Sequence, residues 1–174
     1  AQLAAQPERL VKAIHVLKSR FPGALLWAPG IGGPDNAAVL CWFGVDIFDL
    51  SRSRMCSSAG AILSTSGPRM PVESMGESSD MSVQIEQWKQ SLASIKSHLS
   101  SGNLRSLVDK QSLNSPKLVE HLRVHDKLCT GQDGLLSSHV DKEKQLDCSS
   151  NSSLSDPVIG EWYEFISHNY RAPE

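Results

Sequence analysis

Residues 27–51, WAPGIGGPDNAAVLCWFGVDIFDLS, combine a glycine-rich turn with a short apolar segment that carries two aspartates, Asp46 and Asp49. A carboxylate at the end of a strand can act as a nucleophile or hold a base, although such a residue more often caps a neighbouring element. The glycines could cradle a phosphate, but their spacing matches neither the phosphate-binding loop nor the dinucleotide fingerprint. The pattern favours a turn, with Asp49 as the candidate for chemistry and Asp46 as a residue that holds a neighbouring loop.

A second candidate for chemistry is a histidine pair in the C-terminal half. His121 and His125 lie one helical turn apart and could bind a metal. Leu122, however, stands where the His-Glu-x-x-His pattern has its glutamate, and no third ligand is evident. No pair among the four cysteines has zinc-knuckle spacing, so free thiols in a reducing cytoplasm are expected. We therefore predict neither a metal site nor a cofactor.

Composition limits the classes of function that the chain can have. Its 174 residues are 40% apolar and 21% charged, and 17 basic against 19 acidic residues give a net charge of -2. This balance lacks the broad positive field of an autonomous nucleic-acid-binding domain, so any RNA contact would need local patches or another domain. There is no leader pattern and no apolar run near the ~20 residues of a membrane span. We expect a soluble, cytoplasmic chain without membrane contact.

The elements around Asp49 read as an alternation of helix and strand. Apolar spacing predicts a helix over 7–21, a strand over 24–28, a helix over about 34–43 that Gly44 ends, and a strand over 45–50. Short connections between them imply two parallel strands joined by a right-handed crossover. Because two parallel strands cannot shield both faces of a sheet, we predict an α/β piece of a larger barrel or doubly wound domain.

The remainder reads as loops and helices. Residues 51–80 show neither the helical nor the strand period of apolar residues and predict a long loop or a partly disordered segment. Three- and four-residue apolar steps from Ile85 to Leu99 predict a helix that Gly102 caps, with Trp88 in the core. A shorter apolar set and a helix that begins at Ser115-Pro116 should pack beside it. The predicted organisation is strand and helix units at 1–51, a loop at 52–84, helices at 85–128, a Ser-rich linker at 129–155 and a last helix at 156–174.

Three stretches of the sequence resemble a known family when taken in this order. The strand GVDIFDLS, preceded by PGIGGPDN, is similar to the last two strand units of the tRNA-guanine transglycosylase barrel. The stretches ALLWAPGIGGPDNAAVL and LSSGNLRSLVDKQSLNSPKLVEHLRVHD resemble more specifically the archaeal branch called archaeosine synthase. The final DPVIGEWYEFISHNYRAPE looks like the segment that leads into that family's next domain.

The resemblance implies a fold and a function. It implies the C-terminal part of a TIM-like (β/α)8 barrel followed by a mostly helical connector, as an internal piece of a transferase that modifies a deazaguanine base in tRNA. Asp49 matches the transglycosylase nucleophile, Gly30 and Gly32 fall in the base-pocket turn, and Trp27 lies where the family has an aromatic residue. Since barrel enzymes react at the C-terminal ends of their strands, the positions of Gly30 and Asp49 agree with these roles.

Basic residues after the second strand contact tRNA phosphates in the transglycosylases. By resemblance Arg52 and Arg54, with the more distant Arg69, are candidates for RNA binding, and the alternative is solvated loop charge.

Departures from the family keep a second function open. Residues 51–84 contain only Cys56 and no histidine, so the zinc ligands of the transglycosylases are absent. The Pro-Cys and Lys-Pro-Tyr motif associated with lysine addition is absent too. The leading hypothesis is an archaeosine synthase-like tRNA-modifying protein whose activity this chain alone lacks. The alternative is a non-catalytic module that binds tRNA or a partner subunit, which would supply the missing part of the barrel.

Overall fold

The computed structural model of the chain describes residues 6–129, which are mostly helical with one small antiparallel sheet. None of the helices within 6–129 is long and apolar enough to cross a bilayer. The predicted linker at 129–155 and the predicted last helix at 156–174 lie outside the described residues, except for Cys129. The elements in chain order are α1 Pro7–Arg20, α2 Ala37–Phe43, α3 Ser51–Ser58, β1 Ile62–Ser64, β2 Gly67–Arg69, a 3₁₀ helix Glu73–Met75, α4 Met81–Ser101, α5 Leu104–Ser112 and α6 Pro116–Cys129.

The helices with a clear apolar period form as the sequence predicts, although α4 begins at Met81, four residues before Ile85 and within the predicted loop. Pro7 begins α1, where its missing N–H costs nothing, and Pro116 begins α6 in the same way. Gly44 and Gly102 end α2 and α4 in the left-handed conformation, with φ of 103° and 71°. A residue with a side chain rarely adopts this conformation, so glycine sets both ends.

The two predicted strands form a single parallel bridge between Trp27 and Ile47. The backbone N–H groups of Asp46 and Ile47 both donate to the carbonyl of Leu26, at 2.9 and 3.1 Å. The parallel direction is as predicted, but neither segment extends into a regular strand. Residues 6–129 contain no barrel, and the only sheet among them is the β1–β2 hairpin, so the predicted barrel is not seen in the structure.

The prediction of a long loop over 51–80 is wrong. This segment holds α3, the β1–β2 hairpin and the 3₁₀ helix. Helix α3 has almost no apolar residues, and packing holds it in place: Ser53 is fully buried and its hydroxyl accepts a 3.0 Å hydrogen bond from the Trp88 indole of α4. In the hairpin, Ile62 and Leu63 are fully buried. Tertiary contact outweighs local propensity here.

Buried polar side chains tie these elements together. Gln84 of α4 accepts from the N–H of Leu63 at 3.0 Å and donates to the carbonyl of Ala61 at 2.8 Å, which attaches the hairpin to the helix. Gln111 of α5 accepts from the N–H of Ala38 at 2.7 Å, at the start of α2. Each amide therefore satisfies backbone groups that would otherwise be buried without partners.

A buried charge cluster joins α5 to α6. Arg105 forms two hydrogen bonds to Asp126, at 2.8 and 2.9 Å, and a third to Asp109 at 3.0 Å. All three residues are at least 93% buried, and the guanidinium lies 5.6 Å from the ring centroid of Trp42. Burial acts to raise the pKa of Asp126, but the neighbouring His125 and the hydrogen bonds from Arg105 outweigh it and leave that pKa below its ordinary value. The carboxylate is thus ionised in the core.

Candidate functional site

Asp49 lies just beyond the parallel bridge and joins two segments of backbone. Its Oδ2 accepts a 2.8 Å hydrogen bond from the N–H of Gly30, and its Oδ1 accepts one of 2.8 Å from the N–H of Ser51 at the start of α3. The Ser51 N–H is the main cause that holds the pKa of Asp49 below its ordinary value, and Gly30 and the Trp27 side chain add to it. Asp49 is therefore an ionised carboxylate at neutral pH.

Three of the predicted site residues come together here. Gly30 donates to the Asp49 carboxylate at 2.8 Å, and the Trp27 side chain lies near enough to that carboxylate to contribute to its lowered pKa. The Trp27 side chain is 57% exposed. Gly30 has a φ of +73°, and a Cβ built on it would meet no atom within 4 Å. An aromatic ring, a carboxylate and open space above a glycine thus lie next to one another. Together these groups suit the binding of a flat, polar ring.

Gly32 does not join this group. It is buried, and a Cβ built on it would lie 2.6 Å from Cδ1 of the Phe48 ring. The glycine is needed there because Phe48 packs directly on the backbone of the turn. Gly32 therefore lies on the buried side of the turn, where it contacts Phe48, and does not form part of the exposed surface.

Asp46 holds a neighbouring loop, as the sequence predicts. Its Oδ2 accepts from the N–H of Leu26 at 2.7 Å and from the ammonium of Lys18 at 2.5 Å. Lys18 also donates to the carbonyl of Ala24 at 3.0 Å. Asp46 and Lys18 together attach the end of α1 to the bridge that positions Trp27.

The three arginines that follow the second strand have different surroundings. Arg52 forms a two-pronged ion pair with Asp35, with both N–O distances 2.8 Å, and Arg69 forms one with Glu77 at 2.6 and 2.7 Å. Arg54 is exposed and has no acidic partner within the described part of the chain. Of the two arginines predicted to bind RNA, Arg52 is therefore engaged inside the protein and Arg54 faces solvent.

Asp35 is the partner that sequence reasoning missed. It is 8% exposed, 17 positions before Arg52, and a Cβ on Gly33 would lie 2.4 Å from its Oδ1 and 2.6 Å from Nη1 of Arg52. The glycine turn thus makes room for this ion pair, and only the Gly33-x-Asp35 spacing in the sequence hints at it.

The histidine pair does not form a metal site within the described range. No group of three histidine, cysteine or acidic side chains is close enough to hold a metal ion in residues 6–129. His121 is buried, while His125 is half-buried and stacks on Phe43 with ring centroids 4.8 Å apart. Cys41, Cys56 and Cys129 are free thiols, as predicted.

No protein-family model matches the chain, and no curated protein matches it significantly. The resemblance to the transglycosylases therefore rests on the sequence motifs themselves and remains a prediction.

Proposed function

We propose that this chain is part of an archaeosine synthase-like, tRNA-modifying protein that acts on a deazaguanine base in tRNA. The observation that supports the proposal is that Gly30 and Asp49 come together beside Trp27, at one end of the parallel bridge. The resemblance assigns these same positions to the base pocket. Gly30 and Asp49 are 19 residues apart in the sequence, and the fold brings them together at the surface.

In this proposal the Trp27 ring stacks on the base and Asp49 accepts hydrogen bonds from its N–H groups. Stacking on an aromatic side chain stabilises a bound base by about 1–3 kcal/mol. The carboxylate of Asp49 already accepts from the backbone N–H groups of Gly30 and Ser51, so a bound base would share it with these donors or displace the weaker side-chain contacts of Ser51 and Trp27. The same donors lower its basicity, which favours a base-holding role over nucleophilic attack.

Arg54 supplies the phosphate contact in this proposal. It is the exposed arginine three residues after Ser51, whose N–H bonds to Asp49. A surface arginine without an acidic partner can pair with a phosphate without first breaking an ion pair. Arg52, in contrast, would first have to break its ion pair with Asp35.

The test compares the affinity of the chain for two tRNAs. They differ only in one D-arm base, which is guanine in one and 7-cyano-7-deazaguanine in the other. We expect the 174-residue chain to bind the modified tRNA more tightly, and Trp27→Ala or Asp49→Asn to abolish the difference. Leu25→Ala is the matched control, because Leu25 is 74% exposed and is not among the groups that hydrogen-bond to Asp49. Equal affinity of the native chain for both tRNAs would argue against a base pocket.

A non-catalytic binding module is the second candidate, supported by exposed apolar groups along the bridge. Leu25, Trp27 and Ile47 are 74%, 57% and 42% exposed. Such a surface, beside a parallel bridge with unpaired edges, suits additional strands from a partner subunit. This candidate predicts that Trp27→Ala weakens partner binding and leaves the two tRNAs indistinguishable.

A further inference from the structure

Helix α4 carries a line of exposed apolar side chains on its outer face. Ile85, Leu92 and Leu99 are 39%, 45% and 46% exposed, whereas Trp88 and Ile95 on the inner face are buried. The three exposed residues are seven positions apart, so at 1.5 Å per residue they follow one line about 21 Å long. Seven-residue spacing is typical of a seam that packs against a second helix.

Two exposed lysines, Lys89 and Lys96, lie between these apolar residues on the same face. At 3.6 residues per turn, the two lysines and the three apolar residues fall within about 80° of one another around the helix. Lys89 contacts Glu86 at 3.5 Å, and Lys96 forms no ion pair with another described residue. We name the five residues the α4 seam: Ile85, Lys89, Leu92, Lys96 and Leu99. The α4 seam is therefore both apolar and basic.

The charge of the α4 seam argues against a second copy of the chain as its partner. If α4 packed against α4 of another copy, two lysines from each chain would share one apolar interface. Like charges brought together in an interface repel, and a buried charge without an acidic partner costs free energy. The partner that fits the seam is an apolar helix with an acidic residue at its border.

The sequence of this chain contains a segment with that chemistry. Residues 156–174 predict a helix with an apolar stripe at steps of three and four, made by Ile159, Trp162, Phe165 and Ile166. The segment has four acidic residues and one arginine, a net charge of −3. On a helix Glu161 borders the stripe, whereas Glu164 stands two positions after Trp162 and falls on the opposite side.

The chain that precedes this segment is long enough to bring it to α4. The predicted linker has 26 residues after Cys129, and a flexible chain of that length spans about 25–30 Å on average. A domain the size of residues 6–129 has a radius of gyration of about 14 Å, so every face of it lies within reach. Because both partners belong to one chain, their effective concentration is about millimolar, and a weak contact is sufficient.

We propose that residues 156–174 dock on the α4 seam as a helix. The apolar stripe of the segment covers Ile85, Leu92 and Leu99, and Glu161 pairs with one of the two seam lysines. Removal of the exposed apolar side chains from water drives the docking. The contact forms within one chain, whether or not the protein binds tRNA.

The test is cross-linking of the 174-residue chain with a water-soluble carbodiimide, mapped by mass spectrometry. This reagent joins a carboxylate to a lysine amine as an amide, with loss of water, and leaves no spacer between them. We expect Glu161 to be linked to Lys89 or Lys96. Glu164 is the internal control, because its predicted position faces away from the seam. An equal mixture of ¹⁴N- and ¹⁵N-labelled chains shows whether each link lies within one chain.

Variants of the full chain test the apolar part of the contact. Leu92→Gln should lower the yield of the Glu161 link about fivefold, because it removes the central apolar residue of the seam. Trp162→Gln should lower it in the same way from the other side. Leu113→Gln is the matched control, since Leu113 is 73% exposed and lies outside α4. Because Leu92 is half exposed, its substitution should keep the native melting temperature, so a lower yield reports the docking itself.

Other results would overturn the proposal. If Glu161 is linked to neither seam lysine, the segment does not dock on α4. Links between ¹⁴N and ¹⁵N chains would mean that the seam binds a second copy. If Glu164 is linked as readily as Glu161, or if Leu92→Gln leaves the yield unchanged, the contact does not involve the apolar side chains of the seam.

Discussion

The carboxylate of Asp49 bonds to the backbone N–H of Gly30, 19 residues earlier in the chain, at 2.8 Å. With its second bond, to the N–H of Ser51, it fixes the glycine turn against the start of α3. Asp49 is thus both a cap, the ordinary role of such a residue, and the charged group beside the exposed Trp27 ring.

This double contact predicts the effect of Asp49→Ala. Two backbone donors lose their acceptor at a partly exposed position, so we expect the free energy of unfolding to fall by about 1 kcal/mol. Denaturant unfolding followed by circular dichroism measures this change. Asp80→Ala is the control, because Asp80 precedes α4 without a side-chain cap. A loss for Asp49→Ala no larger than that of the control would show that the contact with Gly30 is not stabilising.

Arg52 and Arg54 should respond in opposite ways to replacement by glutamine. Arg52→Gln leaves the nearly buried Asp35 unpaired and should destabilise the fold by about 1–3 kcal/mol, with its effect on tRNA affinity limited to that loss. Arg54→Gln should leave stability unchanged within about 0.5 kcal/mol. It should reduce the slope of log affinity for tRNA against log salt by about 0.7–0.9, the value for one phosphate contact. Thermal melts and binding at several salt concentrations separate the two effects, and the reverse pattern would mean that Arg52 is the RNA contact.

The Arg69–Glu77 pair predicts an acidic titration. Hydrogen bonds from Arg69 and from the N–H of Val72 lower the pKa of Glu77 from 4.5 to about 2. The folded form therefore favours the ionised carboxylate, so the stability that this pair gives is present above about pH 4.5 and is lost as pH falls toward 2. A titration followed by the carboxyl ¹³C shift of Glu77 should show the lowered pKa, and Arg69→Gln should return that pKa toward 4.5. An unchanged midpoint in that variant would contradict the assigned cause.

The buried charges of α5 and α6 predict a large effect of Asp126→Asn. Arg105 would keep Asp109 but lose its closest charged partner inside the core, and breaking a buried ion pair typically costs about 3–5 kcal/mol. Because the pKa of Asp126 is lowered in the fold, its contribution is present at neutral pH and is lost as pH falls below the ordinary value of 3.8. Chemical unfolding at pH 7 and pH 3 measures both effects, and Asp80→Asn is the exposed control. A change below about 1 kcal/mol would mean that the pair is not needed for stability.

Helices that carry their own signals could be predicted from the sequence. Three- and four-residue apolar steps, together with Pro7, Gly102 and Ser115-Pro116, locate α1, α4 and α6 closely. The parallel direction of the bridge also followed from the order of elements and the short connections. In each of these cases the deciding interaction is local or set by chain geometry.

Elements that depend on distant partners could not be predicted. Helix α3 exists because Ser53 packs under Trp88, 35 positions later, and nothing in SRSRMCSS shows a helical apolar stripe. The Asp35–Arg52 pair and the burial of His121 likewise depend on how helices meet. Only the apolar Ile62-Leu63 pair before Gly67 carried a usable hairpin signal.

Photocrosslinking of the chain to tRNA that carries 7-cyano-7-deazaguanine would test the central claim most directly. Trypsin releases residues 21–52 as one peptide, since no lysine or arginine lies between Arg20 and Arg52. That peptide contains Trp27, Gly30 and Asp49. We expect the modified base to crosslink to this peptide, at Trp27, and the crosslink to disappear in Trp27→Ala. A crosslink that maps to another peptide, or none with a tRNA that binds, would contradict the assignment of this patch as a base pocket.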